Sequence, residues 1–471
     1  MAKHGVYVNE ESTAVSTPVE VETGIPFVIG LAPVQGAENP ATVGIPKLCT
    51  NFAEFKEAFG WSEDWDTYNL CEFAYSHFVL FGMQPAIFVN LLDPATMKSA
   101  VAAADKDVVS KKVVLTETAI DSDALVVKAQ GGNGSAYVKD TDYSVYYNAD
   151  GKLVVEALPD GACYSATKLN IAYDVVTPAS VTASSVATGI DKTDLCMTVL
   201  GMVPDLIVAP GFSQNTTVAA VMATKAGAIN GMFRAKALID IDTTSATTYS
   251  AAVAAKSSNN FTDENQIVCW PMLKLGDHKF HMSSQLAGLI ASVDNENEAP
   301  NASPSNHGLK CDSVILADGT EVVLSLAHAN NLNANGIVTA LNFMGGFVCW
   351  GNYTACYPAS TDVKDYFIPV SRVFDFVANT LIVTFWDQLD TPMTRRMVDS
   401  IVDSANIWLN GLTGDGVILG GRVEMLAEEN PATNLMAGIV KFHVYITPPS
   451  PAQEIDFTLE YDVSYLEEAF A

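Results

Sequence analysis

The chain has 471 residues, 49% hydrophobic and 17% charged, a balance that suits a packed globular protein of two to four domains and excludes a disordered one. Its 54 acidic residues against 25 basic ones leave a formal net charge of -29, the wrong sign for a nucleic-acid binder or for direct lipid binding at an anionic membrane. The same charge opposes self-association until specific contacts outweigh it.

The opening residues, MAKHGVYVNEES, lack the apolar stretch of a secretory signal, and Gly5 to Glu10 reads as a short strand. Ile25 to Pro33 reads as a buried strand ending in a turn. In TNFAEFKEAFG, Asn51 is the cap, Phe52, Phe55 and Phe59 form one stripe, and Gly60 stops the helix. A second helix over Asn69 to Phe81 leads into a buried strand, Ala86 to Leu92. Gly82, Gln84 and Pro85 break the apolar run there, leaving each side too short to span a bilayer. Strand, helix, helix, strand is an α/β rhythm.

From about Thr96 to Asp194 the texture becomes β-rich, with runs such as VVLTET, ALVVKAQ and LNIAYDVV separated by the turn signals GGNG, NADG and LPDG. YYNADGKLVV predicts a hairpin. The segment reads as an all-β domain inserted into a larger α/β one. The rhythm then returns with DLIVAPG, KALIDID and QIVCWPML as strands. Beyond Pro369, two amphipathic helices meet near DTPMT, and two strands, ILGGRVEMLAEEN and GIVKFHVYITPP, follow. A proline-rich tether, Pro448 to Pro451, carries a last alternating run: Ile455, Phe457, Leu459 and Tyr461 on one face, Asp456, Thr458, Glu460 and Asp462 on the other. Period-two patterning predicts a strand with one buried side.

Little in the chain asks for catalysis. No phosphate loop of the GxxxxGK[ST] type and no GxSxG elbow occurs, and the glycine-rich Gly411 to Gly421 reads as a turn after a helix. His278 and His281 lack the HExxH context of a zinc site, and DNENE (Asp294 to Glu298) reads as a solvated loop. The eight cysteines show no CxxC and sit in apolar strings, as free buried thiols of a reducing cytoplasm do. No cofactor, metal or catalytic residue is expected.

The chain resembles the sheath proteins of contractile tails, the family shared by contractile-tailed phages and phage-tail-like bacteriocins. The resemblance is carried in order by GVYVNE, TGIPFVIGLAPVQGAENP, TNFAEFKEAFG, LIVAPGFS, LIDID, CWPML, AGLIASVDNENEAPNASPSN, NANGIVTAL, YFIPVSRVFDFV and YITPPSPAQEIDFTLEYD. WGNYT departs from the family's usual WG-x-R-T, with Tyr353 in place of the arginine. The resemblance implies a multidomain α+β and α/β fold: an inner α/β domain built from both chain ends, and an outer α/β domain carrying the inserted all-β one. The divisions are an N-terminal arm over 1–20, an outer domain over 21–95 and 195–345, an insertion over 96–194, an inner domain over 346–447 and a tether with donated strand over 448–471. It also implies a helical homo-oligomer of stacked rings around an inner tail tube protein, meeting baseplate and tail terminator proteins. Such a particle is made in the bacterial cytoplasm and released on lysis.

The resemblance further implies that the arms add strands to a neighbour's sheet, which assigns Val6, Tyr7 and Val8 at one end and Ile455, Phe457, Leu459 and Tyr461 at the other. Arg395 and Arg396, on the inner-domain helix, are candidates for contact with the tube; the plainer reading is a solvated helix face. Burying the four apolar residues gains roughly 6–12 kcal/mol, while ordering the arm costs roughly 8–16 kcal/mol, so arms must act together. Two alternatives stand beside this: the last strand pairs within its own subunit, or the chain is a cytosolic α/β enzyme with an unrecognised site.

Overall fold

The computed structural model describes residues 19–470, so Val6, Tyr7 and Val8 lie outside the described residues. Short Val, Ile and Phe runs with no exposed side on either face form central strands between two helical layers. In chain order they begin with β1 (Pro26–Gly30), β2 (Lys47–Cys49), α1 (Phe52–Phe59), α2 (Asn69–Ala74) and β3 (Ala86–Asn90). Asn51 caps α1 by accepting the Glu54 amide, and Gly60 ends it at φ 74°, where a Cβ would collide with the Pro33 carbonyl. α2 runs on into a π-helical stretch, Tyr75–Leu80, which buries His77 against the rings of Phe73 and Phe78.

β4 (Lys98–Asp107), β5 (Lys112–Val114), β6 (Ala119–Ile120), β7 (Val126–Ala129), β8 (Tyr143–Tyr147), β9 (Leu153–Ala157) and β10 (Lys168–Val176) follow. They form two sheets, β4-β10-β6 with β7 also on β10, and β5-β9-β8, around a core of their own that includes Val127, Tyr143, Val155, Ile171 and Tyr173. The hairpin read from YYNADGKLVV is β8–β9, with Tyr147 opposite Leu153. With α3 (Ala183–Gly189) the chain is already back on the large sheet: a Cβ on Gly189 would press on Ile29 of β1. The last residues assigned to the insertion from sequence, up to 194, therefore pack with the α/β core.

α4 (Cys196–Leu200), β11 (Leu206–Val208), α5 (Thr216–Gly227), β12 (Lys236–Asp240), α6 (Tyr249–Ser258), β13 (Gln266–Cys269), β14 (Met272–Leu275), β15 (His278–Phe280), α7 (Met282–Asn297), β16 (Ser313–Ile315), α8 (Leu326–Asn333), β17 (Ile337–Asn342) and β18 (Phe347–Trp350) complete this part. The main sheet has eight strands in the order β18-β17-β13-β12-β11-β1-β3-β2, parallel through its middle, with antiparallel β18 and β2 at the edges. Phe347–Trp350, placed beyond the 345 boundary from sequence, thus belongs to the large sheet.

The C-terminal lobe holds α9 (Val363–Tyr366), α10 (Ile368–Phe385), α11 (Arg395–Gly414), β19 (Gly420–Glu424), α12 (Ala432–Met436), β20 (His443–Thr447) and α13 (Ser464–Phe470). α10 and α11 enclose Val373, Phe376, Val377, Trp408, Leu409 and Leu412 with Val423 of β19. This burial accounts for the apolar length of Ile368–Gln388. The opposite side of α10 is polar and turned to the large domain. There Arg372 meets Asp294 at 2.5 Å and Asp205 at 2.6 Å, Lys236 meets Asp375 at 2.9 Å, and Asn379 exchanges two hydrogen bonds with the Arg234 backbone. Asp294 is therefore no solvated loop residue: it is buried near the end of α7, where burial pushes its carboxyl up against the opposing pull of Arg372.

Candidate assembly surface

Two strands alone make a marginal sheet, and each strand of such a pair has an outer edge of unpaired amides and carbonyls. β19 and β20 are such a pair, antiparallel from Gly420 opposite Thr447 to Glu424 opposite His443, and no further strand joins them among the described residues. Asn406 of α11 fixes β19 by bonding both the amide and the carbonyl of Val423. The first described residues lie on the same lobe: the Val19 amide donates to Thr384 Oγ1, and the Trp408 indole donates to Glu20 at 2.6 Å.

Beyond β20 the tether leaves the lobe. Pro448 is buried, and Gln453 Oε1 accepts a 2.5 Å hydrogen bond from the Tyr353 hydroxyl on the large domain. The run that follows has no regular secondary structure, with Ile455, Phe457, Leu459 and Tyr461 at 71%, 86%, 95% and 76% exposure. Among the described residues no hydrogen bond ties Glu454 through Tyr461 to the rest of the chain. The alternative of an intramolecular last strand finds no support among the described residues: the strand-forming pattern is present, but none of them offers it a partner strand. Arg395 and Arg396 lie exposed in the first turn of α11, and Arg395 reaches Asp399 one turn along at 2.9 Å, an exposed pair of little energetic weight.

The residues weighed for chemistry have structural partners. His278 lies on β15, and His281 precedes α7 with its ring 2.8 Å from Glu72. Burial opposes the imidazolium, yet the Glu72 carboxylate pushes its pKa up to about 9. No group of three or more metal-ligating side chains occurs among the described residues. In parallel sheets of this kind ligands bind where the strand order reverses, outside the carboxyl ends of the strands. Here that point, between β1 and β11, is filled by Asn69, which accepts the Leu31 amide at 2.8 Å and donates to the Pro210 carbonyl. Gly411 to Gly421 ends α11 and starts β19. The cysteines are free, and burial pushes Cys49, Cys71, Cys196 and Cys349 up to about 12, leaving them inert.

Sequence reading missed the Arg372–Asp294–Asp205 cluster and the Tyr353–Gln453 contact. An arginine and an aspartate three apart in the mostly apolar VSRVFDFV were the available signal for the first; nothing local marked the second, whose partners are 100 residues apart.

An eight-stranded α/β domain, an all-β insertion and a small lobe ending in an amphipathic arm, which has no partner strand among the described residues, make up the fold. The chain is similar along its whole length to the tail sheath protein of Burkholderia phage BcepMu, 27% identical over 496 aligned residues that cover 98% of this chain and 97% of that one. Its fold matches the helical sheath of the anti-feeding prophage in its contracted state, with TM-score 0.59, 14% identity, and 97% and 99% of the two chains covered. It also matches the PVC sheath complex of an extracellular contractile injection system in its contracted state, at TM-score 0.58, 15% identity and 99% of each chain. No family model matches. In sequence and in fold the chain thus resembles contractile tail sheath proteins along nearly its whole length.

Proposed function

We propose that this chain is a structural, non-enzymatic subunit that polymerises helically around an inner tube and contracts to drive that tube through a target envelope. The observation that carries the reading is the arm: among the described residues, a run patterned for one buried face stands exposed and unpaired, while a two-stranded sheet in the same molecule stands open at its edges. Exposed edges and strand-forming arms are aggregation hazards that a soluble chain keeps when it uses them. Added to β19–β20 of a neighbour, the arm would bury Ile455, Phe457, Leu459 and Tyr461 and supply a third strand, with main-chain bonds giving affinity and the apolar face giving register. Such head-to-tail exchange generates rings or open helices rather than closed dimers.

In this reading the N-terminal residues Val6, Tyr7 and Val8 serve as the second arm, and Arg395 and Arg396 face the tube. The inner domain comprises the C-terminal lobe with the arms, the outer domain the large α/β unit with its insertion. The particle is a phage tail or a phage-tail-like bacteriocin, in which the sheath meets baseplate and terminator proteins. Negative-stain electron microscopy of the purified, concentrated chain should reveal tubes or stacked rings of uniform width. Truncation before Glu454 should leave a folded subunit that forms none, and a truncated chain that still built long tubes would sink the proposal.

A further inference from the structure

The tether crosses from β20 to the large domain as a strap. Beneath its residues Pro451 to Glu454 lies a groove of about 710 Å³ walled by Asn330, Asn333, Trp350, Asn352 and Tyr357. Among the described residues, the strap's direct polar contact with the large domain is the Tyr353 hydroxyl on Gln453 Oε1 at 2.5 Å. Tyr353 itself is held firmly. Its ring stacks on Tyr357 at 3.8 Å with 9° between planes, and on Phe367 at 5.5 Å with 19° between planes, and its backbone bridges Phe367 just before α10. Partial burial, with Tyr357 alongside, pushes the phenol up to about 12, so it remains a proton donor throughout the physiological range. The anchor is tied by several packed rings and a backbone bridge, the strap by one hydrogen bond among the described residues.

We infer that Tyr353 is a latch that fastens the root of the C-terminal arm to its own subunit, giving the arm two reaches. With the latch closed the free arm starts at Glu454. With it open the arm starts at Pro448, and six further residues, proline-rich and extended, add about 19 Å. One neutral hydrogen bond is a weak fastening, so loss of the hydroxyl shifts the open population by only about two- to tenfold. That suits a device meant to let go. The latch itself is a property of the single chain; its use, allowing a donated strand to stay paired while neighbours move apart, rests on the assembly reading above.

The test is cleavage of the isolated full-length chain by a glutamate-specific protease, followed by mass spectrometry. Tyr353→Phe keeps the ring stack and removes only the hydroxyl. It should speed cutting after Glu454 by about two- to tenfold while leaving cutting after Glu460, already in the free arm, unchanged. Gln453→Ala should act alike, and the double variant should be no faster than either single one. Equal rates after Glu454 in wild type and Tyr353→Phe, or additive effects in the double variant, would overturn the latch. Failure of the wild-type chain to form tubes would refute the assembly reading and leave this result standing.

Discussion

Replacing Phe457 by alanine isolates one apolar contact of the arm. In the free subunit the side chain is 86% exposed and touches no core cluster, so its removal should leave the thermal midpoint of the monomer unchanged. If a neighbour's sheet buries it, the variant forfeits most of the 1.5–3 kcal/mol gained by burying such a side chain, or about 1–2.5 kcal/mol after allowing for the alanine that remains. Each subunit added to a tube brings one arm, so the concentration needed for assembly should rise roughly 5- to 70-fold. Turbidity and sedimentation over a concentration series, checked by negative stain, read this directly. Thr458→Ala, on the opposite face of the same strand, provides the comparison and should shift the threshold less than threefold. Equal thresholds for the two variants would refute one-sided burial, and a lowered monomer midpoint for Phe457→Ala would refute the exposed arm.

Arg372→Ala leaves the buried Asp294 and the partly buried Asp205 without their cation, and should cost about 3–5 kcal/mol in urea unfolding; a loss below 1 kcal/mol would contradict the buried pairing. Folding holds His77 neutral, its pKa pulled by burial from 6.5 to about 4, so the unfolded chain takes up the proton first and stability should fall as pH drops from 6.5 towards 4. His281 keeps its proton up to about 9, so stability should also fall as pH rises from 6.5 towards 9. Each limb amounts to roughly 3 kcal/mol, read from urea midpoints across that range, and His77→Leu should flatten the acid limb alone. With a net charge of -29 per subunit, tube formation should strengthen with ionic strength as repulsion is screened; a threshold independent of salt would contradict that.

Much of this fold is legible locally. The Asn51 cap, the Phe stripe and Gly60 specify α1 within ten residues, and the YYNADGKLVV hairpin needs only its own turn. What escapes is non-local. DNENE is acidic enough to read as a solvated loop, but Asp294 is drawn into the core by an arginine 78 residues further on, which no window of sequence contains. The 345 boundary falls between β17 and β18, at two glycines that turn the chain back for an antiparallel edge strand, a pairing the sequence does not display. The arm is the reverse case. Its alternation reads plainly as a strand, and its isolation is invisible in sequence, because pattern tells which face wants burial and not which molecule provides it.

α10 carries Arg372, Asp375 and Asn379 along one side, so its fixings to the large domain span seven residues, about 10 Å of helix. A single fixing permits a body to swivel; fixings set apart along a shaft resist torque. A pull delivered to β19–β20 is therefore not absorbed at the joint between lobe and large domain, because turning the shaft means separating buried charges from their partners. In the proposed assembly, a neighbour's pull on the small lobe would thus be handed on to the wide α/β body, as a crank hands torque to what it carries.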